Sequence, residues 1–105
     1  MKRSLVVLVF ACVCFLRQLW LPGFPYTHDG ENHLARIANY AAALRQGQFP
    51  PRCAPSFWAG YGYPVFNFNY PLLNIAAVPF LAVKITTETT LKILMSSLVV
   101  LSVVA

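Results

Sequence analysis

Three apolar runs, Ser4 to Leu21, Pro71 to Ile85 and Leu91 to Ala105, constrain this chain more than anything else in it. Runs of that length read as membrane segments, because each Å² of apolar surface left in water costs about 25 cal/mol. The first run is interrupted only by Arg17 and Gln18, and at helical rise it reaches about 27 Å, close to the roughly 30 Å of a bilayer core. With Arg17 snorkelling outward and Trp20 at the interface, residues 1–21 read as a first transmembrane helix with Lys2 and Arg3 cytoplasmic. A cleaved signal peptide is the competing reading, but Arg17 to Tyr26 is bulky and Pro-rich and offers no small-x-small cleavage site, so an uncleaved signal anchor is expected.

The second run, residues 71–85, is expected to be a second transmembrane helix with a kink at Pro79. Lys84 and Lys92 bracket a Thr-rich segment, residues 86–90, which the positive-inside rule makes a cytoplasmic turn. Residues 91–105 then begin a third transmembrane helix that stops short of a full span. The expected fold class is an all-α membrane protein, the N-terminal fragment of a polytopic helical bundle. Its expected location is a cell membrane crossed several times, and its partners are the lipid bilayer and the remaining transmembrane helices of a longer chain.

Composition points the same way. The 105 residues are 58% hydrophobic and 10% charged, whereas soluble domains carry about 25% charge. The net charge of +5 reflects three acids against eight scattered basic residues, without the Lys/Arg cluster a nucleic-acid partner would require. Cys12 and Cys14 sit inside the first run and Cys53 outside it, so the three cysteines suggest neither a disulfide framework nor a metal cluster.

Between the first two runs lies a segment, residues 22–70, expected to be extracytoplasmic. Pro22, Gly23 and Pro25 end the first helix. Leu34, Ile37, Ala41 and Leu44 then recur at helical spacing, which predicts an amphipathic surface helix at about 30–46, with Asp29 as N-cap and Gly47 as the C′ residue. Pro50 and Pro51 prevent its continuation. An aromatic Gly/Pro loop follows over residues 49–70, held at an interface by its aromatic side chains.

Ionisable groups concentrate at the start of the surface helix, in Thr27-His28-Asp29-Gly30-Glu31-Asn32-His33. This stretch holds both histidines and two of the three acids. Asp29, His33 and Arg36 share one helix face by their spacing of four and then three. There Asp29 suits a general base or a divalent-cation ligand, with Glu31 near enough to share the site, His33 suits a second ligand or proton relay, and Arg36 suits a phosphate. The simpler account makes Asp29 only a cap, Glu31 only a dipole partner, and His33 and Arg36 a solvated face, and the spacing alone favours it slightly. In the loop, Trp58, Tyr61 and Tyr63 suit stacking on a sugar or a prenyl chain, while an aromatic belt explains them without a ligand. Arg52 suits a headgroup phosphate or plain solvation.

The ordered blocks Pro-Tyr-Thr-His-Asp-Gly-Glu-Asn-His-Leu-Ala-Arg-Ile, Leu-Arg-Gln-Gly-Gln-Phe-Pro-Pro-Arg and Gly-Tyr-Gly-Tyr-Pro-Val-Phe-Asn-Phe-Asn-Tyr-Pro-Leu fall at residues 25–37, 44–52 and 60–72, within a stretch of likeness over residues 22–75. In them the chain resembles the bacterial membrane proteins labelled "6-pyruvoyl-tetrahydropterin synthase-related", which are similar to glycosyltransferases of the GT-C class. The resemblance implies a GT-C-like bundle and a catalytic or metal-binding acid in the first outer loop. By position that role falls on Asp29, with Glu31 the second candidate. The resemblance also implies a polyprenyl-phosphate-linked sugar as donor, which would suit Arg36 or Arg52 as phosphate partners. From their own chemistry, His33, Trp58, Tyr61 and Tyr63 stand as further substrate-binding candidates, and Asp29 with His33 as the ligands of a divalent cation (Mg or Mn). Arg-Cys-Ala-Pro at 52–55 departs from the family, where Trp is more usual at the second position. A pterin-synthase site is not implied, since its zinc triad needs three histidines. The expected function is therefore sugar transfer by the full-length protein, the fragment alone being inactive. The alternative is a non-catalytic transport or envelope-assembly protein whose loop binds glycan or lipid.

Overall fold

The computed structural model describes residues 2–104, and the side chains of residues 2, 3 and 104 lie outside the description. The expectations for the basic start and for the end of the third run fall partly on those residues. Among the described residues there are four α-helices: α1 (Lys2–Leu19), α2 (Gly30–Arg45), α3 (Leu72–Ala82) and α4 (Thr87–Val104). A single 3₁₀ turn at Val65–Asn67 sits in the long connection between α2 and α3. Helices α2, α3 and α4 pack against one another, while α1 is attached chiefly along α4. The body is accordingly elongated, 54 × 26 × 26 Å.

Each helix end has a local cause. Beyond α2, Gly47 adopts φ +85°, and its N–H donates to Leu44 O while Gln48 N–H donates to Ala43 O. This pair of reversed bonds satisfies carbonyls that a helix end otherwise leaves orphaned. The same pattern closes α3, with Lys84 N–H on Leu81 O and Ile85 N–H on Phe80 O, but here the left-handed residue is Lys84 at φ +65°. At the start of α4, Thr86 Oγ1 accepts from Thr89 N–H at 3.2 Å, so the Thr-rich segment expected to be a turn includes the cap and first turn of a helix.

Two apolar clusters hold the fold. In one, Ile37 of α2, Ala77 of α3 and Leu91 of α4 meet, with Phe24, Leu34, Leu73, Leu81 and Leu94 around them. In the other, Tyr40 of α2 meets Ala54, Val65 and Phe66 of the long connection, with Leu44, Phe57 and Val78 beside them. The rings of Tyr40 and Phe66 pack edge to face at 5.1 Å and 84°, a geometry worth about 0.5–1.5 kcal/mol beyond the area it buries.

These elements overturn the expected polytopic membrane bundle. Among the described residues no helix is long and apolar enough to cross a membrane. The multi-pass location, and with it an extracytoplasmic loop over residues 22–70, loses its support. The physical reasons are specific to each run. Helix α1 carries Lys2, Arg3 and Arg17 within its 18 residues. Helix α3 has only 11 residues, about 16 Å at helical rise. Helix α4 begins with a polar turn containing Glu88, and Lys92 follows one turn later. Part of the hydrophobicity that read as lipid-facing, at Leu73, Ala77, Leu81, Leu91 and Leu94, instead packs helix against helix.

Candidate functional site

The long connection folds into a compact loop fastened to α2. Gln48 Oε1 accepts from the backbone N–H groups of Arg52 (3.4 Å) and Cys53 (3.2 Å), turning the chain after α2. Ala54 and Tyr63 exchange both backbone hydrogen bonds, at 2.8 and 3.2 Å, closing the segment between them into a hairpin-like corner. The corner is anchored from below by Asn39, a buried residue of α2. Asn39 Oδ1 accepts from Ser56 N–H at 2.9 Å and from Ser56 Oγ at 2.7 Å, and its Nδ2 donates to Ala35 O at 2.9 Å. A buried amide with these partners satisfied gives a rigid fastening.

With both flanks held, the tip takes a left-handed course. Trp58 has φ +54° and Ala59 φ +52°, followed by Gly60 at +89° and Gly62 at +84°. For residues bearing a Cβ this conformation costs roughly 1–2 kcal/mol each. The result is an indole left 73% exposed, stacked loosely on the Tyr63 ring at 6.0 Å and 18°. Tyr61 projects from the same corner and is 91% exposed.

Tyr63 also belongs to a second feature. A cleft of about 290 Å³ is lined by Tyr63, Val65, Phe68 and Asn69 of the connection and by Arg36 of α2. The Arg36 Nε–H is buried and has no hydrogen-bond partner. Among the described residues the one ion pair is Glu88–Lys92, so no carboxylate neutralises Arg36 within 4 Å.

The acidic motif forms the start of α2. Asp29 occupies the N-cap position, but its side chain makes no capping bond. Asp29 Oδ1 instead accepts from Asn32 Nδ2 at 3.3 Å, and the backbone carbonyl of Asp29 accepts from His33 N–H at 3.0 Å. Asp29 and Glu31 are exposed and His33 half-buried, and among the described residues no side-chain hydrogen bond joins the three. No group of three or more metal-ligating side chains converges among the described residues. Arg52 is exposed, and its backbone carbonyl accepts from Phe66 N–H at 3.2 Å.

The structure thus brings together Arg36, Trp58 and Tyr63 of the predicted residues, with Tyr61 on the same corner. Sequence reasoning passed over Asn39, Phe68 and Asn69. A polar Asn39 between the apolar Ile37 and Tyr40 was the available signal for the first; Phe68 and Asn69 carried none that set them apart from their neighbours.

No family model, no curated protein and no solved structure matches the chain. In place of the expected membrane-spanning GT-C bundle, no described helix is long and apolar enough to cross a membrane, and no comparison carries a glycosyltransferase description.

Proposed function

We propose that this chain is a non-catalytic recognition module that binds a glycan on the aromatic corner of residues 54–63. The observation that carries the reading is Trp58, a bulky residue held at φ +54° and left 73% exposed. Backbone strain persists only where the surroundings over-determine it, and it clusters at ligand clamps. Exposing an indole also forgoes the burial that large aromatics usually gain in a fold. The chain accepts both costs at one residue and fixes the corner beneath it through Asn39 and Ser56. A flat, rigid aromatic face suits the apolar C–H face of a sugar ring, and Tyr61 and Tyr63 add phenolic hydroxyls for the ring's own hydroxyls.

Titration with a panel of soluble oligosaccharides, followed by tryptophan fluorescence and calorimetry, tests the reading. Wild type binds at least one member, and Trp58→Ala weakens that binding about 10-fold or more, in line with truncation of an aromatic anchor. Helix content by circular dichroism stays unchanged, because Trp58 contributes nothing to either buried cluster. Binding that survives Trp58→Ala intact would remove the corner from the site.

A further inference from the structure

The Arg36 cleft indicates what kind of glycan the corner takes. A guanidinium is always charged, and its N–H donors form a planar fork. An N–H of that fork buried without a partner is costly, and native proteins rarely leave one so. Three observations converge on this atom. Arg36 Nε is buried and donates to nothing. The Arg36 side chain lines a cleft of about 290 Å³. Among the described residues the single ion pair is elsewhere, so the charge is uncompensated at close range.

The cleft and the aromatic corner are one continuous surface, because Tyr63 lines the first and stacks on Trp58 in the second. Val65 and Phe68 contribute apolar atoms to the wall beside Arg36. The Asn69 amide supplies neutral donors and an acceptor in the same cleft.

We infer that the cleft binds the anionic substituent of a saccharide, a phosphate or a carboxylate, through the Arg36 guanidinium, while the sugar ring lies on Trp58. This rests on the glycan reading above and narrows its ligand class to acidic sugars. A guanidinium offers the two parallel hydrogen bonds that match both oxyanions. Lysine at this position would supply the charge without the fork.

The test compares wild type, Arg36→Gln, Arg36→Lys and Trp58→Ala against four probes: a hexose 1-phosphate, a hexuronic acid, the neutral parent hexose and inorganic phosphate. Binding is measured by calorimetry, and the Arg36 Nε–H resonance is followed by nitrogen-edited NMR. Wild type should bind at least one acidic sugar about 10-fold more tightly than the neutral hexose, with the Nε–H resonance shifting on addition. Arg36→Gln should erase that preference while keeping neutral-hexose affinity, which also shows that the variant is folded. Arg36→Lys should fall between the two. Equal affinity for acidic and neutral sugars in wild type overturns the inference and leaves the glycan reading standing. Binding of inorganic phosphate with no sugar binding overturns the glycan reading and the acidic-sugar inference together, reducing the cleft to a simple anion site. Absence of binding to all four probes overturns both readings.

Discussion

At the scale of single residues, the acidic motif owes its shape to Gly30 more than to its charges. A Cβ at Gly30 would meet Thr27 Oγ1 and, at 2.7 Å, the ring of Phe24. Phe24 packs against the Ile37 cluster, so the absent side chain lets the connection from α1 fold tightly over the start of α2. Gly30→Ala should therefore lower stability by about 1–3 kcal/mol in chemical denaturation, whereas Asp29→Asn, at an exposed residue whose side chain caps nothing, should stay within about 0.5 kcal/mol. Lys84 gives a change of opposite sign. It holds φ +65° at the end of α3, where glycine is at ease and a Cβ is not, so Lys84→Gly should raise stability by about 0.5–1 kcal/mol, read as a higher denaturation midpoint at unchanged slope. Gly47 does the same work at the end of α2 and was readable as such. Lys84 was not, because lysine has no preference that marks a left-handed position.

At the scale of elements, the join between α1 and the rest depends on polar bonds. Lys92 is only 6% exposed. Its Nζ donates to Leu21 O at 3.1 Å and Gly23 O at 2.7 Å and pairs with Glu88 at 2.9 Å. One helical turn further on, Trp20 Nε1 donates to Ser96 Oγ at 3.0 Å. Lys92 thus ties the carbonyls just beyond α1 to α4, although from sequence it read as the far bracket of a cytoplasmic turn. Lys92→Met should cost about 2 kcal/mol by leaving those acceptors unpaired. It should also speed hydrogen exchange in residues 20–24 well before exchange in α2, and uniform acceleration across the molecule would contradict a local tie. The loop is fastened by a comparable device. Asn39→Ala should loosen the corner, lowering stability by about 2–3 kcal/mol with the loss of two bonds to Ser56 and one to Ala35.

At the scale of the whole molecule, the core lies among α2, α3, α4 and the connection, while α1 keeps most of its apolar side chains in the open. Phe10 is 70% exposed and Phe15 69%. Phe10→Ser should therefore change folding stability by less than about 0.5 kcal/mol while reducing the binding of a hydrophobic dye. A marked loss of stability would show that Phe10 packs more deeply than the fold indicates. The sequence by itself determined that the chain is helical, where glycine and proline interrupt it, and where the scarce acids and histidines cluster. Apolar periodicity and turn chemistry are local properties, so they survive in one dimension. Only the tertiary structure decided what the apolar runs pack against, since hydropathy is the same number whether Leu73, Ala77 and Leu91 face lipid or each other. Tertiary structure also decided the site. Asp29, Glu31 and His33 are neighbours in sequence that no side-chain hydrogen bond joins. Arg36 and Tyr63 are far apart in the chain, yet the fastening of the loop by Asn39 and by the Ala54–Tyr63 pair sets them on one cleft.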